Sequence, residues 1–223
     1  VRVMAVVKAN AYGHGSALVS RALDGMGADA FGVAFPEEGL ELRLEGITAP
    51  IHVFTLPTPP QVPLYFENRL EATVSSEREI RLLQSCAERE GKSIPFHLKV
   101  DTGMNRVGVR LPDLERLVRR IARSPRLEWK GVFTHFATAD ERSKTFARQQ
   151  LHTFERALEI VSRHGATPPD IHCANSAAIL DMPETYFSMV RPGIMMYGYY
   201  PSSTTTESIR VSPVLSLKSC VSL

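Results

Sequence analysis

The stretch Val3-Met4-Ala5-Val6-Val7-Lys8-Ala9-Asn10-Ala11-Tyr12-Gly13-His14-Gly15 decides how the rest of the chain is read. Five apolar residues, three of them valines, make a run of strand length that closes on a lysine. A small, Gly-rich turn follows, and residues 16–26 then carry apolar side chains near a helical period. Strand, turn and helix in that order form the first part of a βαβ unit. In parallel barrels the reactive groups sit where strands end, so a lysine closing an apolar strand says more than a lysine elsewhere. Burial there lowers the pKa of an amine and readies it for Schiff-base chemistry. Taken alone, a strand-end lysine is more often a surface residue, and a single Gly-rich turn is a weak sign of a phosphate site.

The same alternation repeats outward from this stretch. Strands are expected over residues 3–8, 30–34, 51–55, 72–75, 96–101, 131–135, 170–174 and 189–191. Helices are expected over 16–26, 37–45, 76–90, 112–122 and 145–164, with a short one after Ser176; Leu114, Leu117, Val118 and Ile121 illustrate the 3.6-residue spacing. Parallel strands need right-handed crossovers, so this pattern predicts a closed (β/α)8 TIM barrel, with an open doubly wound sheet as the alternative. A length of 223 residues suits one such barrel. The expected division is a barrel over 1–200, followed over 201–223 by a linker and the first strand of a truncated C-terminal β domain. The Ser/Thr run over 201–208 reads as the linker, and the β-like residues from Val211 onward as that strand. Because the chain opens on Val1 inside an apparent strand, a preceding segment is also expected.

Composition narrows the classes of function. The chain is 43% hydrophobic and 22% charged, which allows a sizeable core under a solvated surface. Its 26 basic and 24 acidic residues are spread along the chain, and the formal charge of +2 gives no basic stripe for nucleic acid or an anionic membrane. No apolar stretch approaches a membrane span, and the N-terminus lacks the sections of a signal peptide. Cys86, Cys173 and Cys220 lie far apart, without the pairing of a zinc site, so neither a metal site nor a disulfide framework is expected and a reducing cytoplasm is the expected location.

Other strand ends supply company for Lys8. Lys99, Asp101 and Arg106 follow the fifth run, His135 closes the sixth, Asn175 and Ser176 follow the seventh, and Arg191 closes the eighth, ahead of Pro192-Gly193-Ile194. In a barrel these residues share one face, where they form a pocket with two guanidiniums, amines, an imidazole and a phosphate-ready loop.

These segments carry a resemblance. Val6-Val7-Lys8-Ala9-Asn10-Ala11-Tyr12-Gly13-His14-Gly15 is similar to the cofactor-lysine motif of alanine racemases. Lys99-Val100-Asp101-Thr102-Gly103-Met104-Asn105-Arg106-Val107-Gly108, His135-Phe136-Ala137-Thr138-Ala139-Asp140, Asn175-Ser176-Ala177 and Arg191-Pro192-Gly193-Ile194 follow in that family's order and approximate spacing. The resemblance runs from Val3 to about Leu217, with the first and last motifs the most specific.

What the resemblance implies is a pyridoxal 5'-phosphate enzyme that interconverts L- and D-alanine. Lys8 would hold the cofactor and exchange a proton on the D face of the substrate α-carbon. Tyr12, Asn175, Ser176 and the peptide N–H groups of Gly193 and Ile194 would form the cofactor's phosphate side, although Ser176 could also serve as an ordinary N-cap. Arg191 would face the pyridine nitrogen; a guanidinium has only donors, so the ring would stay unprotonated and act as a weaker electron sink, favouring reprotonation over transamination. His135 would pack beside the ring and contact Arg191. Arg106 would reach the substrate carboxylate and the cofactor's phenolic oxygen, and Lys99 is a candidate for carbamylation. Asp101 is expected to be structural and Phe54 to line the pocket, while His14, His52, His97, His152, His164 and His172 are read as lone solvated or packing residues.

The family's second base is a tyrosine from the C-terminal domain of a partner subunit, which implies a homodimer with shared sites. Tyr197, Tyr199 and Tyr200 do not match that motif, so this segment alone is expected to bind cofactor and to racemise poorly or not at all. The implied physiological role is supply of D-alanine for peptidoglycan. Two alternatives stay open: a non-catalytic pyridoxal-phosphate carrier, which does not usually show the lysine motif, and a racemase for another amino acid such as serine.

Overall fold

The computed structural model describes residues 1–220 of the chain. Eight strands form one sheet: β1 (Arg2–Val6), β2 (Ala30–Val33), β3 (Ile51–Val53), β4 (Leu70–Val74), β5 (Ile94–Lys99), β6 (Leu127–Phe133), β7 (Asp170–His172) and β8 (Met189–Val190). Their order is β7-β6-β5-β4-β3-β2-β1-β8, and every paired neighbour is parallel. The two end strands meet through backbone bonds, Ser188 N–H to Ile171 O at 3.2 Å and Arg191 N–H to Ala174 O at 2.9 Å, which bring the sheet round into a barrel. Parallel sheets of this kind need cover on their outer face. It comes from α2 (Ser16–Gly25), α3 (Pro36–Leu44), α4 (Val62–Glu67), α5 (Glu77–Glu90), α6 (Leu111–Ile121) and α7 (Thr145–Arg163), while the short segments α1 (Lys8–Gly13) and α8 (Ser176–Asp181) follow the ends of β1 and β7.

The expected helices form where the sequence patterns place them, and α4 is an addition to them. Ser76 caps α5, accepting from Arg78 N–H, while Glu79 accepts from the backbone of Ser75 and Ser76. On α6 the four periodic residues Leu114, Leu117, Val118 and Ile121 are all buried against the sheet. The open-sheet alternative is thereby excluded.

Inside the barrel the filling is largely aromatic and polar. His52, Thr73, His97, Phe133 and His172 are buried there; the Phe133 and His172 rings stack at 4.9 Å, and His52 and His97 lie 4.3 Å apart. β5 and β6 slip register between Phe96 and His97, opposite Trp129 and Gly131. A Cβ on Gly131 would come within 2.2 Å of His97 Nδ1, so only glycine lets that imidazole occupy the axis.

Beyond Tyr200 the Ser/Thr run is pinned to the barrel. Ser202 and Thr204 hydroxyls donate to Asp140 O at 2.6 and 2.7 Å, Thr206 donates to Asp181 at 2.6 Å, and Ser208 to Leu180 O at 3.1 Å. The strand expected from Val211 does not form within the described residues, because 211–220 have no neighbouring strand with which to exchange ladder bonds. The last part of that expected strand, 221–223, lies outside the described residues.

Candidate active site

At the C-terminal ends of the strands lies a cavity of about 330 Å³. Lys8, Tyr12, Lys99, Arg106, His135, Asn175, Ser176, Arg191, Gly193 and Ile194 all border it, as does Phe54. The fold thus brings together every residue selected from the sequence. A larger hollow of about 520 Å³ opens between the starts of α5 and α6, but it lies on the flank of the barrel and shares no lining residue with this cavity.

Lys8 begins a segment with an unusual backbone. Ala9, Asn10, Ala11 and Tyr12 all have φ of 53 or 54° with ψ between 34 and 53°, a left-handed turn built from residues other than glycine. The sequence reading expected a simple small-residue loop here. Left-handed helix costs roughly 1–2 kcal/mol per L-residue, so this turn holds about 4–8 kcal/mol of strain. Five hydrogen bonds oppose that strain: Ala11 N–H to Val7 O, His14 N–H to Ala11 O, Gly15 N–H to Asn10 O, Ser16 N–H to Asn10 Oδ1, and Ala9 N–H to Glu38 Oε1 at 2.7 Å. Four neutral bonds at about 1 kcal/mol and one charged bond at about 2 are of matching size. The result places Lys8 Nζ 6.0 Å from the centre of the Tyr12 ring, with both residues on the cavity wall.

Arg191 is buried at the floor of the cavity. It donates to Thr134 O at 2.8 Å, to Cys173 O at 3.2 Å, to His172 Nδ1 at 2.8 Å and, more weakly, to His135 Nδ1 at 3.4 Å. Burial pulls its pKa down to about 10, which leaves it charged at neutral pH. A guanidinium can only donate, so the tautomers follow from the network. His172 must accept at Nδ1 and therefore donates from Nε2 to His97 Nδ1 at 2.9 Å; His97 in turn donates from Nε2 to Glu71 at 2.8 Å. Burial and the Arg191 charge hold His172 and His135 well below the usual imidazole range, so both stay neutral.

These histidines correct the sequence reading, which took His52, His97 and His172 as lone residues. They form one buried cluster under the site, and His172 and Glu71 belong to the support of Arg191. Their signal was present in the strand period: His52, His97 and His172 each lie two residues before a strand-end position (Phe54, Lys99, Ala174), hence on the same inward face one layer down. Ligating atoms of His52, Glu71 and His97 also lie within 4.8 Å of one another, but both nitrogens of His97 and the Glu71 carboxylate are already engaged in the chain just described.

The electrostatics of the mouth favour an anion. Lys8, Lys99, Arg106 and Arg191 converge on it, and among the described residues none of the four forms an ion pair. Burial, followed by the charge of Arg106, lowers the pKa of Lys8, with Glu38 opposing. Burial, then Arg106 and Arg191, bring Lys99 down to about 8, where a neutral amine is well populated. Asp101 accepts from Gly103 and Asn105 N–H at 3.0 Å each, the turn-closing part expected of it.

On the opposite wall, Asn175 is the N-cap of α8, accepting from Ala178 N–H at 3.1 Å, which corrects the reading of Ser176 as the cap. Ser176 instead faces the β8 loop, where its Oγ accepts from Gly193 N–H at 2.9 Å and Met195 N–H at 3.4 Å. A Cβ on Gly193 would sit 2.7 Å from the Tyr12 hydroxyl, so glycine keeps this corner open between Tyr12 and Ser176. Tyr197 and Tyr200 are committed elsewhere, donating to Val6 O at 2.9 Å and Ile209 O at 3.2 Å.

Known proteins resemble this chain over nearly its whole length. The profile of the family described as alanine racemase, N-terminal domain, matches residues 1–201. The chain is 44% identical over 220 residues to the alanine racemase of Methanococcus maripaludis, covering 97% of this chain and 59% of that protein. It is 40% identical over 219 residues to alanine racemase 2 of Caldanaerobacter subterraneus subsp. tengcongensis, covering 98% and 56%. Among solved structures, the alanine racemase of Clostridium difficile 630 superposes with a TM-score of 0.91 at 34% identity, over 96% of this chain and 56% of that one. The alanine racemase of Bacillus anthracis with bound L-Ala-P gives 0.89 at 36%, over the same shares. The chain therefore spans somewhat over half the length of these relatives.

Proposed function

The chain belongs to the alanine racemase N-terminal domain family, and from that premise we propose that the protein it forms interconverts L- and D-alanine with pyridoxal 5'-phosphate held at this barrel mouth. The observation that carries the reading is the convergence of Lys8, Tyr12, Arg106, Ser176 and Arg191 on one cavity whose cations form no ion pair among the described residues.

The residues present fit that cofactor. A phosphorylated aromatic aldehyde needs an amine, an anion corner and a flat apolar-to-polar slot; Lys8, the Tyr12–Ser176–Gly193–Ile194 corner and the Phe54, His135 and Arg191 walls supply these. When bound, the cofactor supplies a carbonyl that condenses with amines and a ring that draws electron density from the substrate α-carbon.

Every other part falls to the chain. Lys8, its pKa lowered, would supply the amine that holds the cofactor and would take or return a proton on one face of the substrate α-carbon. Tyr12 and Ser176, with the N–H groups of Gly193 and Ile194 and the Asn175-capped start of α8, would hold the phosphate. Arg191, locked by four acceptors, offers the ring nitrogen only a donor and no proton to share. That limits the electron sink and favours return of the proton to carbon. Neutral His135 packs beside the ring, and Arg106 takes the substrate carboxylate. Lys99, about half neutral near pH 8, is suited to add carbon dioxide as a carbamate with release of its proton to solvent, an anion that would balance Arg106.

The second acid–base group comes from outside this chain, in a homodimer with shared sites, and the product serves peptidoglycan synthesis in the cytoplasm. No helix among the described residues is long and apolar enough to cross a membrane. The test is polarimetry on the full-length protein. L-alanine should lose its rotation fully while L-serine changes far more slowly; an unchanged rotation with both refutes the racemase reading, and a preference for serine refutes the substrate.

A further inference from the structure

Of the five hydrogen bonds that stabilise the left-handed turn after Lys8, four are local to residues 7–16. Among the described residues, the one hydrogen bond tying the turn to a part of the chain distant in sequence is Ala9 N–H to Glu38 Oε1, across 29 positions. The second oxygen of Glu38 accepts from Ala34 N–H at 2.6 Å and Phe35 N–H at 3.2 Å, which closes the start of α3 onto the end of β2. One half-buried carboxylate therefore joins three pieces of backbone. Glu79 is an internal comparison: at the same position of α5 it accepts from Ser75 and Ser76, reaches no further element, and lies outside the cavity.

We propose that Glu38 is a positioning residue for Lys8: its carboxylate clamps the strained turn to the start of α3, and so sets where the lysine and Tyr12 enter the cavity. The clamp also places a negative charge beside an amine that shares its cavity with Lys99, Arg106 and Arg191. The titratable groups that share the cavity with Lys8 are Tyr12 on its own turn, Lys99 at the end of β5, Arg106 after it, His135 and Asp140 beyond β6, and Arg191 beyond β8, with Glu38 acting from outside the lining. Asp140 and Glu38 are the carboxylates among these, and Glu38 is the one whose charge acts against the lowering of Lys8.

This inference rests on Lys8 being the cofactor lysine, so the test has one arm that needs no cofactor. In the intact protein, Glu38→Gln leaves an amide oxygen for Ala34 and Phe35 but turns an NH2 toward Ala9 N–H, removing the clamp while keeping the cap. Two quantities are read: the dissociation constant of pyridoxal phosphate by fluorescence titration, and the pH dependence of Lys8 acetylation by acetic anhydride, followed by peptide mass. Glu38→Gln should weaken the cofactor by about tenfold or more, the loss of one charged hydrogen bond, and move the Lys8 profile to lower pH. Glu79→Gln should leave the affinity within about twofold, since it touches no cofactor-binding group, and leave the Lys8 profile in place. If the two variants behave alike, Glu38 is a helix cap and nothing more. Should Glu38→Gln fail to fold, Glu38→Asp keeps the charge in α3 but is one methylene too short for the bridge; it must also lose affinity, and wild-type affinity overturns the proposal. Failure of the wild-type protein to bind pyridoxal phosphate would instead count against the cofactor reading, while the acetylation profiles still decide the part played by Glu38.

Discussion

Replacing Ala9 by glycine should stabilise the protein, against the ordinary expectation for glycine. Ala9 sits at φ 54° and ψ 53°, is exposed, and contributes only its backbone N–H to the clamp with Glu38, a bond that glycine retains. Removing its Cβ relieves roughly 1–2 kcal/mol of left-handed strain. Against this stands about 0.4–1 kcal/mol from the greater freedom of glycine in the unfolded chain. The net gain is about 0.5–1 kcal/mol, equivalent for a domain of this size to a rise in Tm of about 1–4 °C. Differential scanning calorimetry of the cofactor-free protein measures it, with Asn10→Ala as the contrast. That change removes the Oδ1 acceptor of Ser16 N–H and puts a less tolerant residue in the left-handed region, so it should lower stability by about 1–2 kcal/mol. A fall in Tm for Ala9→Gly would refute the strain argument, because no side-chain contact is lost that could account for it.

Two further outcomes follow from the buried charges. Lys99 is depressed from 10.5 to about 8 in the folded state. Between those values the unfolded chain binds more protons, so stability rises with pH across that window. Lys99→Met should therefore stabilise the cofactor-free protein by on the order of 3 kcal/mol at pH 7, with the advantage fading as pH climbs through 8 toward 10.5; urea midpoints at stepped pH check it, and a constant difference would contradict the burial argument. His172→Leu strands Arg191 Nη1 and His97 Nδ1 without partners, each at about 1–3 kcal/mol, so a total loss of about 2–5 kcal/mol is expected in the same urea assay. A loss below about 1 kcal/mol would mean that the chain from Glu71 to Arg191 does not work as a unit.

The barrel was legible because its signals are local. β-branched runs and 3.6-residue stripes recur in register, and the strands observed match the expected ones to within a few residues at their ends. The mouth was legible because polar residues interrupt apolar runs at strand ends, as at Lys8, Lys99, His135 and Arg191. What escaped was whatever depends on tertiary pairing. The left-handed turn is tied to Glu38 on a later helix, and nothing in Ala9-Asn10-Ala11-Tyr12 announces a positive φ. The link from Arg191 to Glu71 passes through residues on β7, β5 and β4 that become neighbours only when the sheet closes. Helix α4 was missed because Val62-Pro63-Leu64-Tyr65-Phe66-Glu67 is a single proline-led turn, too short for a period to emerge. The Ser/Thr run after Tyr200 looks like a linker in composition, yet the hydroxyls of Ser202, Thr204, Thr206 and Ser208 find acceptors on the barrel.

The central claim is that Lys8 is the amine that captures the cofactor. Incubating the full-length protein with pyridoxal phosphate, reducing with borohydride and mapping the modified peptide by mass tests it without reference to turnover. The account predicts a single pyridoxyl group on Lys8, abolished in Lys8→Ala; label on Lys99 or on another lysine, with Lys8 unmodified, would contradict it.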